Sequence, residues 1–451
     1  MAGRTLDVGA LIESRLARPQ IMIALWLCTL MVLEGYDMQT LSFAAPAILR
    51  EWQVSRADFG PVLSAHLTGY LFGALILSFF GDRIGRKNII IAGAVIFGAC
   101  TFAAGFSASP LELGLWRFGA GIGLGGAIPT GIALAAEYMP KRVRATTIGL
   151  MFVGYNVGAA AGGFIAAWTI ADYGWPSVFF IGGIAAIPMF LGLALAIPES
   201  VRFLIVKGAP NAEIATIIQR LRPSADLSDV TRYVAGEESR KNSPASLFAE
   251  GRAAVTVLLW LSFIASFTGH YFITGWMPTV LSDDGMSIAQ ANTAMGFFQL
   301  GGAIGSFLIA FLLDRVGIRV IALTFLAATP VVAVLGMQAP YLVLLPNMLV
   351  AGIGVLGGQI GLNALAGTIY PTYMRATGAG WGLGVGRIGS IAGPIIGGLL
   401  LNFGFTRPVL LVLTAIPLFF CGIALFALQS AKRAQDERGG DIGLAKADFA
   451  H

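Results

Sequence analysis

The heptapeptide "GDRIGRK" at Gly81–Lys87 recurs in the second half of the chain as "LDRVGIR" at Leu313–Arg319. A second stretch returns at nearly the same spacing, because "RATTIG" at Arg144–Gly149 is matched by "RATGAG" at Arg375–Gly380. Two matches at almost one spacing indicate a duplicated chain. We therefore expect two similar halves, each built from the same order of elements.

Both halves are strongly apolar. Of the 451 residues, 56% are hydrophobic and only 12% charged, and the mean hydropathy is +0.78, which is unusual for a soluble protein. Apolar runs of the ~20 residues that cross a bilayer recur from Ile21 to Leu428. The sequence predicts an all-α integral membrane protein with twelve transmembrane helices in two pseudo-symmetric six-helix bundles. The predicted spans are 21–45, 58–80, 88–107, 111–137, 146–170, 176–198, 253–276, 287–312, 319–338, 341–369, 374–402 and 407–429.

One long polar break divides the two sets of spans. It covers residues 199–252 and resembles a cytoplasmic linker with short helices, so we predict bundles at 1–198 and 253–451. Basic loops lie on one side of the membrane and acidic loops on the other, which by the positive-inside rule places both termini in the cytoplasm. The formal charge of +5 is therefore orientation charge, and we expect no nucleic-acid partner.

Glycines in the pattern G-x-G-x-x-G occur in spans four and ten, again at the spacing of the repeats. In a soluble βαβ unit this pattern binds dinucleotides, but inside an apolar span small residues allow helices to pack closely. We expect close packing and no dinucleotide site. The glycines are Gly121, Gly123 and Gly126, with Gly352, Gly354 and Gly357 in the second half.

Ionisable residues within the spans are the main functional signal, because each costs at least about 2.5 kcal/mol at membrane depth and is rarely retained without a use. The stretch "LEGYDMQT" places Glu34 and Asp37 three positions apart, on one face of span one. Arg117 lies in span four and Arg387 near the middle of span eleven. These four residues are candidates for binding an ionic substrate or a coupling ion.

Arg387 is the strongest candidate for a substrate anchor. The spans of the second half offer no obvious acid at its depth, and a guanidinium binds a carboxylate through two parallel hydrogen bonds. The alternative is a cation held by backbone carbonyls or by Asp37. Gln359 and Asn363, at i and i+4 in span ten, either orient the substrate or join helices by hydrogen bonds. Tyr36 is a candidate aromatic wall.

The duplicated loop is a candidate for conformational gating. Gly85 and Gly317 permit a tight turn. Membrane orientation explains the basic residues of the loop, but it does not require acids at the matching positions Asp82 and Asp314. Such an acid can cap a neighbouring helix or pair with a basic residue, and either contact can be broken in another conformation. We include the neighbouring basic residues in the predicted gate, namely Arg83, Arg86 and Arg315. The two histidines within spans, His66 and His270, are more simply explained by contacts with adjacent helices.

These motifs resemble a known family. Twelve spans in two halves, with "SFFGDRIGRK" after span two and its copy after span eight, resemble the major facilitator superfamily of secondary transporters across nearly the whole chain. Within it, "EGYD" in span one, "PESVRFL" after span six and the long stretch Asn363–Gly398 resemble the aromatic acid:proton symporters. Glu34 departs from many members, which have Asp at that position.

The resemblance implies the major facilitator fold, with spans one and four adjacent, so that Arg117 could pair with Asp37. A static structural ion pair is the alternative to a functional one. We expect Asp37 to be the proton-coupling acid, assisted by Glu34, and Arg117 to contribute to coupling and to substrate binding. The chain would be a multi-pass transporter of the inner membrane, in contact with lipid, monomeric, without enzymatic activity, and with neither metal nor cofactor besides the coupling proton.

Energetics favour a coupled cation. Moving a monoanion into a cell that is negative inside opposes about 2.3 kcal/mol per charge per 100 mV, and one proton cancels that charge. The sequence therefore predicts proton-coupled uptake of an aromatic carboxylate, such as a hydroxybenzoate or a hydroxyphenylpropanoate, by alternating access. A carrier of another organic ion or of a sugar, or a proton-coupled exporter, remains the alternative. A membrane hydrolase is disfavoured because both acids of span one lie on one helix.

Overall fold

The chain is described by a computed structural model from residue 4 to residue 448, with short gaps. Helices make up nearly all of it, because a helix satisfies its own backbone hydrogen bonds and so can cross a bilayer. The residues outside the description are 1–3, 15, 224, 226, 228, 229, 235–243, 372, 373 and 449–451, and the side chains outside it are those of residues 10, 14, 78, 82, 310, 314, 376 and 436–448.

A set of six long helices occurs twice along the chain. Between and before these sets lie short elements. In chain order they are β1 (Arg4–Asp7), α1 (Val8–Ser14), α2 (Arg18–Trp52), α3 (Arg56–Ile84), α4 (Arg86–Ala104), α5 (Pro110–Tyr138), α6 (Lys141–Tyr173), α7 (Pro176–Ala196), α8 (Val201–Lys207), α9 (Asn211–Leu221), β2 (Val230–Val234), a 3-10 turn (Pro244–Phe248), α10 (Ala253–Asp283), α11 (Ile288–Val316), α12 (Ile318–Val334), α13 (Tyr341–Ala366), α14 (Arg375–Asn402) and α15 (Arg407–Asp448).

The predicted membrane architecture is confirmed. Among the described residues, 11 helices are long and apolar enough to cross a membrane, and α12 is a further apolar helix of 17 residues. Most helices exceed the predicted spans, so that α10 continues to Asp283 and α15 to Asp448. The difference arises because backbone hydrogen bonds continue through polar residues, which an apolar window does not detect. α12 instead ends early, at Val334.

The chain packs as two compact units. The first comprises Met1–Ile48 and Ala65–Glu238, and the second comprises Leu49–Ser64 and Ser239–His451. The end of α2 and the beginning of α3 thus pack with the helices of the second half, which the sequence did not indicate. The predicted domain limits, 1–198, 199–252 and 253–451, stay predictions.

The short elements of the first unit pack together as a small layer beside the long helices. β1 pairs in parallel with β2, with Leu6 opposite Tyr233. Apolar residues of this layer join the main core of the unit, among them Val8, Ile12 and Ile218. The expected short helices of the polar break are present as α8 and α9. The strands were not predicted, because four or five residues carry too little alternation to signal a strand.

The repeated glycines are helix-packing positions, as predicted. A side chain on Gly121 of α5 would clash with the carbonyl oxygen of His66 on α3, and one on Gly352 of α13 would clash with the carbonyl oxygen of Phe298 on α11. The two contacts are equivalent in the two halves. Because these glycines are inside membrane helices that touch backbone to backbone, the dinucleotide interpretation is excluded.

Candidate functional site

The centre of the first unit contains a buried ion pair between α2 and α5. Arg117 Nη1 donates to Asp37 Oδ1 over 2.7 Å, and Arg117 Nη2 donates to the backbone carbonyl of Asp37 over 2.8 Å. Both side chains are 0% exposed. The pairing expected from the resemblance is therefore present, and the guanidinium is fixed by two contacts to one residue.

Three more helices converge on this pair. Thr101 of α4 donates to Asp37 Oδ1 over 2.8 Å, and the ring of Phe179 on α7 lies 5.8 Å from the guanidinium carbon. His66 Nδ1 of α3 lies 3.1 Å from Arg117 Nη2. A guanidinium only donates, so Nδ1 accepts this hydrogen bond and the proton of the neutral ring is on Nε2.

The second carboxylate oxygen of Asp37 is in a different environment. Oδ2 accepts no hydrogen bond from the residues that the structure describes, and His66 Nδ1 lies 3.5 Å from it. Asp37 thus has one oxygen fully engaged and one oxygen available to bind a proton. The sequence did not reveal Thr101 or the role of His66, because neutral polar residues are common in membrane helices.

The remaining candidates of span one lie on the same helix. Glu34 is 4% exposed, and it is buried among the helices of the first unit. Tyr36 donates from its hydroxyl to the carbonyl of Val178 on α7 over 2.8 Å and is 5% exposed. The hydroxyl of Tyr36 is thus used in joining α2 to α7, and its role as a substrate wall stays a prediction.

In the second unit, Arg387 of α14 faces α10. Its guanidinium carbon lies 5.9 Å from the ring centre of Phe267. Gln359 of α13 accepts a hydrogen bond from Ser266 of α10 over 2.7 Å and donates to Asn363 over 3.3 Å. Of the two roles considered, this geometry favours the joining of helices for Gln359, whereas the described hydrogen bond of Asn363 lies within α13.

The turn between α3 and α4 contains the first copy of the repeated loop. Gly85 has a φ of 104° and Gly317 one of 72°, so both glycines adopt the positive φ that the motif predicted. Arg83 and Arg315 each lie over a phenylalanine ring of their own helix, at 4.4 and 4.1 Å. The side chains of Asp82 and Asp314 lie outside the described residues.

The acid that caps α4 comes from "PESVRFL". Glu199 Oε1 accepts from the backbone nitrogens of Arg86 over 2.8 Å and Lys87 over 3.3 Å. Arg86 pairs through its side chain with Glu137 at the end of α5, and Ser200 donates to the same carboxylate over 2.5 Å. Helix capping and ion pairing are therefore both present at this loop, and the acids in the described contacts are Glu199 and Glu137. The predicted roles of Asp82 and Asp314 stay predictions.

In the second unit, the start of α3 makes contacts near Asp283, at the end of α10, that the sequence did not predict. We call these contacts the acidic-end contact. They join the start of α3 to α10 and α14. Arg56 donates to Asp283 Oδ2 over 2.6 Å, and Ser64 donates to the carbonyl of Ile391 over 2.8 Å. A side chain on Gly60 would lie 3.0 Å from the carbonyl oxygen of Pro394, so the helices nearly touch.

Two duplicated sets of membrane-length helices, with a buried ion pair at membrane depth, define a multi-pass membrane transport protein. The family described as Major Facilitator Superfamily matches residues 27–222 and 259–449. The chain belongs to this superfamily, and the family membership expected from the motifs is confirmed.

Several curated relatives are similar over almost their whole length. The gallate transporter of Pseudomonas putida is 37% identical over 427 residues, which cover 94% of this chain and 95% of the relative. The 4-hydroxybenzoate transporter PcaK of Acinetobacter baylyi is 36% identical, covering 94% of each chain. The 3-(3-hydroxy-phenyl)propionate transporter of Escherichia coli is 30% identical, covering 92% and 95%. These relatives are transporters, which confirms that the chain is not an enzyme.

Solved structures share the fold at lower identity. A bacterial homolog of the human lysosomal transporter Spinster, in an inward-facing and unoccupied conformation, has a TM-score of 0.67 at 20% identity and covers 93% of this chain and 96% of that chain. A D-xylose-proton symporter has a TM-score of 0.66 at 17% identity and covers 88% and 97%. Both comparisons confirm the major facilitator fold.

Proposed function

We propose that the protein takes up an aromatic carboxylate together with protons. The observation that carries this proposal is the fully buried Asp37–Arg117 pair. An ion pair removed from water is costly and adds little stability over an apolar substitute, so a functional explanation is favoured over a structural one. The names of the relatives, which refer to gallate, 4-hydroxybenzoate and hydroxyphenylpropionate, indicate the substrate class.

Asp37 is the coupling acid in this proposal. Its Oδ2 has no hydrogen-bond donor among the described residues, so a proton can bind there without displacing Arg117 Nη1 or Thr101 from Oδ1. Protonation removes the charge that holds Arg117 in an ionic contact. Arg117 still has the backbone carbonyl of Asp37 and His66 Nδ1 as acceptors, and its cation becomes available to an anionic substrate. Glu34 assists as a nearby buried acid.

Arg387 anchors the substrate carboxylate from the second unit. The guanidinium provides a planar fork that matches a carboxylate, and Phe267 lies beside it, as expected for a site that accepts an aromatic ring. Binding of a proton and of a monoanion in one cycle transfers no net charge. The membrane potential therefore does not oppose uptake when one proton accompanies each substrate.

Transport proceeds by alternating access, in which the two halves expose the bound substrate to one side and then to the other. The protein is a monomer of the inner membrane with cytoplasmic termini, and protons are the coupling ion without a further cofactor. The Glu199 and Glu137 contacts at the basic loop and the acidic-end contact are all formed in this conformation, and we expect them to break in another state of the cycle.

Reconstituted liposomes test the proposal directly. Uptake of labelled 4-hydroxybenzoate, 3-hydroxyphenylpropanoate and xylose is compared with and without an imposed pH gradient, acidic outside. We expect accumulation of the aromatic acids only when the gradient is present, and no uptake of xylose. Accumulation of xylose alone would contradict the proposed substrate class. Uptake of the aromatic acids that does not depend on the pH gradient would contradict the proposed coupling. Efflux of the acids against an opposite gradient would identify an exporter.

A further inference from the structure

His270 of α10 is a buried polar residue that the mechanism above does not use. It is 6% exposed, and neither ring nitrogen has a hydrogen-bond partner within the part of the chain that the structure describes. Each such group lacks the hydrogen bond that would offset its removal from water. Buried side chains that lack partners are uncommon, and each needs an explanation. A residue satisfied by a neighbouring helix, as the sequence suggested, would show such a bond.

His270 lies beside the proposed carboxylate anchor. Arg387 contacts the ring of Phe267, and Phe267 precedes His270 by three positions, about 4.5 Å along the helix axis. A substrate whose carboxylate binds Arg387 and whose ring lies along α10 therefore brings its far substituents toward His270.

The imidazole is held in a defined orientation. Its ring stacks on Tyr271, with 4.6 Å between ring centres and 23° between planes. Because the ring is fixed, its two nitrogen atoms also have fixed orientations, although neither makes a hydrogen bond to a described residue. A side chain that is already oriented loses little entropy when it binds a ligand, so this arrangement suits ligand binding better than a role in core packing alone.

Two further buried polar residues lack described partners in the same way. Gln299 of α11 is 0% exposed, and both of its amide atoms lack partners in the described chain. At ~1.5 Å of rise per residue, Gln299 lies about 17 Å from the start of α11 and His270 about 20 Å from the end of α10, so both are at similar depth. At the spacing of the repeats, the position of His270 corresponds in the first half to Gln39, whose Nε2 is also buried without a described partner.

We propose that His270 binds the ring hydroxyl of a hydroxylated aromatic acid whose carboxylate is held by Arg387. A neutral imidazole has one donor and one acceptor, and a phenolic hydroxyl also has both, so one hydroxyl can use either nitrogen. Sites that hydrogen-bond a substrate hydroxyl discriminate strongly against the analogue without it, because the buried polar group is then left without a partner. His270 therefore sets a preference for hydroxylated over unsubstituted rings. This inference rests on the proposed function.

The test is a ratio of two affinities measured on one sample. Equilibrium binding of 4-hydroxybenzoate and of benzoate to the purified transporter is compared for the wild type, His270→Phe and His270→Asn. We expect His270→Phe to weaken 4-hydroxybenzoate binding at least tenfold and benzoate binding less than twofold. His270→Asn, which restores a donor and an acceptor, should recover part of the loss. The ratio is independent of the fraction of active protein.

Trp260→Phe is the matched control, because Trp260 lies on the same helix and also has a buried ring nitrogen without a described partner. It should leave the ratio unchanged. An equal loss for both ligands in His270→Phe, or a wild type that does not prefer the hydroxylated ligand, would overturn the role of His270 and leave the proposed function intact. A wild type that binds neither acid would overturn the proposed function itself.

Discussion

At the scale of single residues, the two carboxylate oxygens of Asp37 have different environments. One carboxylate oxygen is held by Arg117 and Thr101, while the other has no described donor. A proton can therefore bind without first breaking the contacts that position the side chain. This arrangement suits an acid that must exchange a proton repeatedly without losing its place between the helices.

Asp37→Asn is the most direct test of this role. The amide keeps an oxygen that can accept from Arg117 and Thr101, but it cannot exchange a proton. We expect pH-driven accumulation of substrate in vesicles to be lost, while equilibrium binding persists. The measurement is uptake with and without an imposed pH gradient, and Glu34→Gln on the same helix is the control, with a milder defect expected. Normal gradient-driven accumulation by Asp37→Asn would place the coupled proton elsewhere.

Arg387→Lys tests the carboxylate anchor. Lysine keeps the charge but loses the planar fork, and hydrogen bonds to charged groups contribute about 1.5–3 kcal/mol each. We expect the dissociation constant for 4-hydroxybenzoate to rise tenfold or more, with the protein still folded and inserted. Isothermal titration of purified protein measures this change. An affinity within twofold of wild type would show that the substrate carboxylate binds elsewhere.

Residues of this kind differ in how well the sequence predicts them. Asp37, Arg117 and Arg387 stand out because charge at membrane depth is costly, and the structure does bring Asp37 and Arg117 together. Thr101 and His66 could not be assigned, since a polar neutral side chain in a span does not specify its partner.

At the scale of elements, the acidic-end contact joins α3 to α10 and α14 within the second unit. Helices that approach this closely must separate if the substrate passes between their ends. The Cβ of a residue at position 60 would lie 3.2 Å from the Cα of Ile395, which is slightly closer than an ordinary contact. A disulfide, whose Cβ atoms are about 3.8 Å apart, can therefore join the two positions after a small adjustment of the helices.

The double variant Gly60→Cys with Ile395→Cys is therefore expected to transport only when reduced. Oxidation should reduce uptake at least tenfold, and a reducing agent should restore it, because the bond prevents separation of α3 from α14. Uptake by the same liposomes is measured before and after reduction. Gly60→Ala with Ile395→Ala controls for the substitutions themselves. Unchanged uptake by a fully cross-linked sample would show that this contact stays closed throughout transport.

The start of α4 gives a second test at this scale. Glu199 accepts from two backbone nitrogens there, and a negative charge at a helix N-terminus contributes about 0.3–1 kcal/mol. Glu199→Gln should lower the transport rate several-fold while substrate affinity stays within twofold, because the contact biases conformations and is not part of the substrate site. Glu213→Gln, at an exposed acid of α9, is the control. An equal loss of affinity and rate would contradict a gating role.

The elements were predicted to different degrees. The long helices follow from apolar length, which the bilayer imposes, whereas their ends depend on capping contacts from distant residues such as Glu199. The motif predicted the tight turn at Gly85, but the acid that caps α4 is Glu199, which comes from a segment far later in the chain. β1 and β2 could not be predicted, because each pairs with a partner remote in sequence.

At the scale of the whole molecule, duplication accounts for most of what the sequence could predict. Two repeats give the helix order, the equivalent glycine contacts at Gly121 and Gly352, and the superfamily. Differences between the repeats are more informative about function. The buried ion pair occurs in the first unit, and the second unit presents Arg387 with His270 and Gln299, so we infer that proton coupling and substrate recognition depend mainly on different repeats.

The pairing of β1 with β2 affects how the protein is made. β1 is translated first, but β2 follows only after all six long helices from α2 to α7. During synthesis the N-terminal strand therefore has no strand to pair with until about half of the chain has been made. A nascent chain stalled just after α9 should leave the segment around Asp7 and Val8 open to protease, and one stalled well beyond β2 should protect it. Equal cleavage at both lengths would show that this strand folds without its partner.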